Sequence, residues 1–372
     1  FPFLLFICLS SLIGGYLNTM GKFAAMAFTP VILNLSMLSV LVLFINNENQ
    51  ELISKYLASS ISLAGVIQLI WLFYHLKINN IKIKFSLKIF DKVFKFSKDA
   101  KKLFILFLPA VIGNGVYQIN LLIDMILAST LPDGFISYLY FADRINQLPL
   151  GVFGIALSTA LLPVLSRQIK KKENTSASQT LNHCLQLGII FSVPCAFGLA
   201  FLAEPILSVL FVRGEFSVSD AQLTSKALMA LCIGLPAFIS VKIIAASFFA
   251  FVDTKTPVYV AVFSMLINLI LNLILIQKYL HVGLALATSI SSWLNFFVLV
   301  IILRKRELYS VGISTIKVFI KSLIASSIMI LVTKFLLLSK IFDSHIEDFL
   351  SENFFILSSV IIFSSFVYLI LI

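Results

Sequence analysis

Runs of about twenty predominantly apolar residues, the length a helix needs to cross a bilayer core, recur along almost the whole of this 372-residue chain. Nothing else in the sequence constrains the fold as tightly. A helix satisfies its backbone polar groups internally, so helices can sit in lipid where loops and open strand edges cannot. The chain is 60% hydrophobic, with 36 Phe, and only 12% of its residues are charged. That leaves too little polar surface to clothe a water-soluble domain of this length. The sequence therefore predicts an all-α, polytopic membrane protein. Its eleven spans fall at 1–18, 26–45, 57–76, 103–130, 138–165, 183–211, 226–250, 257–277, 281–303, 318–338 and 353–372.

Loop charges orient these spans. Residues 77–102 carry nine Lys against two Asp. With that loop in the cytoplasm and alternation from there, the inside loops are net basic and the outside loops net acidic, as the positive-inside rule asks. The formal charge of +11 then reports topology and contact with anionic membrane lipids, not nucleic acid. Within 78–102, Phe90, Val93, Phe94 and Ser97 share one helical face and lysines surround the other. This pattern predicts an amphipathic helix in the inner interface, with a plain basic tether as the alternative. Cys8, Cys184, Cys195 and Cys232 lie in apolar spans at no metal-like spacing and read as packing residues. No P-loop, nucleophile elbow or His/Cys/carboxylate cluster points to an enzyme. A glycosyltransferase would need acidic residues in a sizeable loop, and the longest loop is lysine-rich.

The chain also repeats itself. Two spans lead through a short polar turn into Thr-Pro-Val, at Thr29–Val31 and Thr256–Val258. Proline is well placed there because the first helical turn has no amide bond to lose. ASSIS (Ala58–Ser62) and ATSIS (Ala287–Ser291) follow 28 and 30 residues after the two prolines. Transporters are often built from duplicated halves with the substrate site between them. The repeat predicts the last three helices of one lobe at 1–77, a linker at 78–102, a complete six-helix lobe at 103–304 and two additional helices at 305–372. It also places about three further spans upstream of Phe1.

Polar residues inside spans are functional candidates. Asp143 and Arg144 stand side by side in YLYFADRINQLPLGVFGIALSTALLPVLSR (138–167), with Arg144 roughly 10 Å deep at 1.5 Å per residue. One reading is a bridge from Arg144 to a carboxylate, with Asp124 a partner across the hairpin, or snorkelling. The other is a cation facing a water-filled cavity, where a guanidinium suits phosphate through its fork of donors. Asp143 would orient it, and Pro149 and Gly151 interrupt the helix just below. Lys242 is a second candidate cavity cation, with an ion pair or snorkelling as its alternative. Asp124, Asn268, Asn272 and Thr288 form a second group: one carboxylate and several neutral oxygens, a ligand set for a hard monovalent cation. Interhelical hydrogen bonding is the alternative for these residues.

At these residues the chain resembles the MurJ/MviN family of lipid II flippases. The matching stretches include QINLLIDMILASTLPDG (118–134), the ADR-containing span above, LFVRGEFSVSDA (210–221) and GLPAFISVKIIAASFFAFVDTKTPV (234–258). The resemblance implies a two-lobed exporter fold in the bacterial plasma membrane, here with a truncated first lobe. It implies no enzymatic step and no cofactor beyond a monovalent cation. The cargo would be lipid II, the undecaprenyl-diphosphate-linked peptidoglycan precursor, and other cell-wall synthesis proteins would be partners. The resemblance implies that Arg144 engages the diphosphate; Asp143 and Lys242 join it as substrate-site candidates on the residue reading above. Asp124, Asn268, Asn272 and Thr288 resemble a sodium site proposed in some members, although this chain has Asn272 where that site has a carboxylate. A related drug or polysaccharide-lipid exporter, or a transport-incompetent truncated remnant, are the alternative readings.

Overall fold

A computed structural model describes residues 2–20, 22–44, 49–79, 115–116, 118–306, 312–338 and 354–372. The expected linker helix lies outside the described residues. The chain divides into two units, residues 1–95 and 96–372.

The smaller unit contains α1 (Pro2–Thr19), α2 (Phe23–Ala27), α3 (Thr29–Leu43) and α4 (Gln50–Ile78). Its core is a small cluster of Ile13, Leu17, Ala25, Leu72 and Leu76. Side chains of α4 donate to carbonyls of α2 and of the start of the Thr-Pro-Val helix α3. Gln68 donates to Thr29 O at 2.8 Å and the Trp71 indole to Ala25 O at 3.0 Å.

The larger unit begins with α5 (Gln118–Ala128). It continues with α6 (Phe135–Pro149), α7 (Ala156–Lys170), α8 (Asn174–Phe201), α9 (Ala203–Phe211), α10 (Val218–Ala250), α11 (Lys255–Lys305), α12 (Ile313–Leu338) and α13 (Phe354–Leu371). Between α6 and α7 the helix runs through a π-helical turn, Leu150–Ile155, just after Pro149. The interruption expected from Pro149 and Gly151 is thus a change of helical pitch, without a break. Among the described residues, seven helices are long and apolar enough to cross a bilayer and three more are apolar but shorter. One of the seven, α11, is folded on itself and provides two of the expected spans.

Helix α10 is largely apolar and forms the core of the larger unit. Leu228, Leu235, Ile239, Ile243, Ile244 and Phe248 are all fully buried. A Ser217/Asp220 capping box starts the helix, satisfying amides that lipid could not. Cys232 joins this core, whereas Cys8 is exposed, so the packing role expected of all four cysteines fails for Cys8. Helices α12 and α13 attach through polar contacts. Ser314 and Thr315 accept from Gln186 of α8, and Tyr368 donates to Ile190 O at 2.8 Å.

Leu280, at φ 51° and ψ −132°, breaks the 51-residue α11 into two limbs. Three contacts fix the limbs as an antiparallel hairpin. Near the tip, a Cβ added to Gly283 would lie 2.5 Å from the Leu275 carbonyl oxygen. Midway, Asn268 meets Thr288 and Ser291. At the base, Arg306 pairs with Asp253 at 2.6 Å and donates to Thr256 Oγ1 at 3.0 Å. Counted through the Asn268–Ser291 and Asp253–Arg306 contacts, seven and eight residues separate the first two contacts on the two limbs and fifteen the next two, so the register holds from tip to base.

Asp253 also accepts from the Lys255 and Thr256 amides, at 3.1 and 3.0 Å. The DTKTPV stretch is therefore a helix start and a latch at once. Burial alone would raise the Asp253 carboxyl. The Thr256 hydroxyl and amide and the Arg306 guanidinium outweigh it and hold the group at about 2.

Gly283→Ala is expected to lower the unfolding temperature in detergent, by overpacking worth about 1–3 kcal/mol. Gly198→Ala, where a Cβ would meet nothing within 4 Å, is the control and should be neutral or mildly stabilising. The Arg306 side chain is 45% exposed. A double-mutant cycle of Asp253→Asn with Arg306→Gln should therefore give a coupling below about 1 kcal/mol. Because the folded carboxyl titrates below its ordinary 3.8, that coupling should be undiminished above about pH 4 and fade as pH falls toward 2.

Candidate functional site

The folded hairpin of α11 brings two polar faces together. Asn268 and Asn272, one turn apart, are 1% and 0% exposed on its first limb, and Thr288 and Ser291 face them from the second. Helix α5 carries Asn120 and Asp124 at the same one-turn spacing, which puts them on one face.

One amide joins the two helices. Asn272 Nδ2 donates to Asp124 Oδ1 at 2.6 Å and to Asn268 Oδ1 at 2.8 Å. Asn120 Nδ2 donates to Asp124 Oδ2 at 3.2 Å, so amides engage both carboxylate oxygens. Thr288 passes its own hydrogen to Leu284 O at 3.0 Å and accepts from Asn268 Nδ2 at 3.3 Å. The four residues grouped from sequence are therefore contiguous. Asn120 and Ser291 belong with them. Their signals were Asn120's position one turn before Asp124 and the serine-rich ATSIS motif.

Beside this cluster, within the larger unit, lies a cavity of about 240 Å3. Lys242 of α10, Asn120, Ser264, Asn268, Thr288 and Asn295 line it, among others. Lys242 has no ion-pair partner among the described residues. Ser264 Oγ and Asn295 Oδ1 are buried without hydrogen-bond partners. The cavity wall thus offers one ammonium, one hydroxyl and one amide oxygen to a polar guest, and such groups are costly to bury unmatched.

Asp143 and Arg144 are not among the residues lining that cavity. On α6 they do not pair face to face, because adjacent helical residues point about 100° apart. The Gln147 amide joins them instead. Its nitrogen donates to Asp143, and its oxygen accepts from Arg144 Nη1 at 3.4 Å. The Arg144 guanidinium lies 4.6 Å over the Tyr140 ring and is exposed. The bridge from Arg144 to Asp124 considered from sequence is absent among the described residues, since amides hold Asp124. Gln147 was the residue missed, although its place one turn after Asp143 was the signal. Most of the guanidinium fork is left free for an anion. No group of three or more His, Cys, Asp or Glu is placed to hold a metal ion among the described residues.

The family model described as lipid II flippase MurJ matches residues 1–355. The chain is 38% identical over 294 residues to the probable lipid II flippase MurJ of Rickettsia prowazekii, covering 79% of this chain and 56% of that relative. With the probable lipid II flippase MurJ of Vibrio cholerae it shares 39% over 299 residues, covering 80% and 55%. It thus spans about half the length of these curated relatives. Among solved structures it is similar to the lipid II flippase MurJ in an inward closed conformation. The TM-score is 0.75 at 31% identity, over 100% of this chain and 71% of the other. An inward-facing multidrug resistance transporter of the MATE family gives a TM-score of 0.66 at 14% identity, over 82% and 69%. At that identity the likeness concerns the fold alone. The chain is a multi-pass protein of the inner membrane, and it belongs to the lipid II flippase MurJ family.

Proposed function

We propose that this chain provides the larger part of a lipid II flippase. It would carry the undecaprenyl-diphosphate-linked precursor from the inner to the outer leaflet by alternating access, with no bond made or broken. The observation that carries this reading is the likeness of the whole chain to a MurJ structure at 31% identity, joined to the family match over residues 1–355.

The site chemistry fits it. A translocated diphosphate needs cations that can be approached and then released. Arg144 on α6 and Lys242 on α10 are exposed cations, and neither is tied to a carboxylate among the described residues. An arginine already locked to a carboxylate would have little left for phosphate. Gln147 and Tyr140 hold the guanidinium in place without neutralising it, which is what a positioned but available anion donor requires. Asp143, held through Gln147, orients the arginine from its carboxylate side.

Cells depleted of their own flippase test the reading. The parent protein, expressed from its own gene with whatever precedes Phe1, is expected to restore growth and clear accumulated lipid II. Arg144→Ala should fail, and Cys195→Ser should succeed. Gln147→Ala should lower rescue partially, since it removes the positioning amide and leaves the charge. Drug resistance without clearance of lipid II would assign the protein to an exporter of other cargo. Full rescue by Arg144→Ala would remove that residue from the cargo site.

A further inference from the structure

The resemblance to flippases with a proposed sodium site puts a cation at Asp124, Asn268, Asn272 and Thr288. The hydrogen bonds at these residues run against it. A hard cation is held by oxygen lone pairs aimed at one point. Here a nitrogen stands between the oxygens. Asn272 Nδ2 lies 2.6 Å from Asp124 Oδ1 and 2.8 Å from Asn268 Oδ1, with one hydrogen for each.

The orientation of these amides follows from the carboxylate. An ionised Asp124 only accepts, so the Asn272 atom nearest it is the nitrogen. That nitrogen's second hydrogen then requires oxygen on Asn268. Turning the Asn268 amide over would bring its nitrogen within 3.3 Å of Asp124 Oδ1 and 3.2 Å of Asn120 Oδ1. Its oxygen would then accept from the Thr288 amide at 3.1 Å, but its nitrogen would stand 2.8 Å from the Asn272 nitrogen, donor against donor, so the Asp124-facing Asn272 nitrogen excludes that orientation. Two further oxygens of the group already accept hydrogen bonds. Asp124 Oδ2 accepts from Asn120, and Thr288 Oγ1 accepts from Asn268. Asn272 Oδ1, buried and without a partner, is an oxygen left over on the far side of the same amide.

We infer that in this chain the Asn272 side-chain amide takes the place of the bound cation, so the cluster closes on itself without sodium. Charge supports the substitution. Two carboxylates around a monovalent cation carry a net −1, and one carboxylate around a neutral amide carries the same. The field that neighbouring Lys242 and the cavity feel is preserved, while dependence on an ion is removed. Any coupling of transport to a sodium gradient then does not pass through these residues. The inference is independent of which lipid is carried.

Thermal unfolding of the purified parent protein in detergent tests it, with NaCl exchanged for choline chloride at constant ionic strength. The parent should show no sodium-specific shift. Asn272→Asp, which replaces the bridging nitrogen by a second carboxylate oxygen, should unfold at lower temperature in choline and recover by about 2 °C or more with saturating sodium. Asn272→Ala, which lacks both donor and ligand, should be destabilised equally in both salts and is the control for general loss of packing. A saturable, sodium-specific rise in the parent, abolished by Asp124→Asn, would overturn the inference. So would direct binding of radioactive sodium to the parent at one site per chain. If Asn272→Asp cannot be purified in choline, that sodium-binding measurement on the parent decides alone.

Discussion

The larger unit depends on how closely two helices approach. A Cβ on Gly234 of α10 would lie 2.8 Å from the Ser289 Cα on the second limb of α11. Ser289 answers by donating to Ala230 O at 2.7 Å, and Trp293 reaches Ile233 O at 2.9 Å. In lipid there is no hydrophobic gain from bringing two apolar helices together, so small residues and a few hydrogen bonds must supply the contact. This one does so at the centre of the unit. With α10 fixed against the second limb, the Leu280 turn and the Gly283 approach place the first limb, and α5 is then gripped through Asn272 and Asp124.

That order explains why the polar residues fall into two groups of different character. Those between α5 and α11 hydrogen-bond one another and are buried or half-buried. Arg144 on α6 and Lys242 on α10 stay exposed, with no carboxylate partner among the described residues. Burial of a polar group is tolerable only with a partner, and a free charge is tolerable only where water or cargo can reach it. The amide cluster is therefore an architectural element that also borders a cavity. Arg144 and Lys242 are groups whose charge is kept available. The π-helical turn after Pro149 belongs with the second group. It lets α6 and α7 continue as one element while Gly154 approaches Ile239 of α10, where a Cβ would come within 3.6 Å of that residue's Cα.

Much of the fold was legible in the sequence because lipid leaves few choices. Apolar length marked the spans, and the split between 277 and 281 was visible before Leu280 was seen to make it. The Thr-Pro-Val starts were legible because proline has only one comfortable place in a helix. The partners of the polar residues were less so. Asp124 and Asn272 lie 148 positions apart, and no periodicity connects α5 to α11. The Arg306–Asp253 latch escaped notice for the same reason: a basic residue at a helix end reads as topology until its partner is found.

By itself the sequence determined that the chain is a helical membrane protein, which side of the membrane its loops favour and which family motifs it carries. These follow from composition, period and charge, which are properties of the chain one window at a time. The tertiary structure decided which polar groups are spent and which remain free. Asp124 was a candidate partner for Arg144 until α11 folded back and gave it an amide. Asn272 was one ligand among four until its nitrogen proved to face the carboxylate. A hydrogen bond is directional, and only the packed helices say which atom of a side chain points at which neighbour.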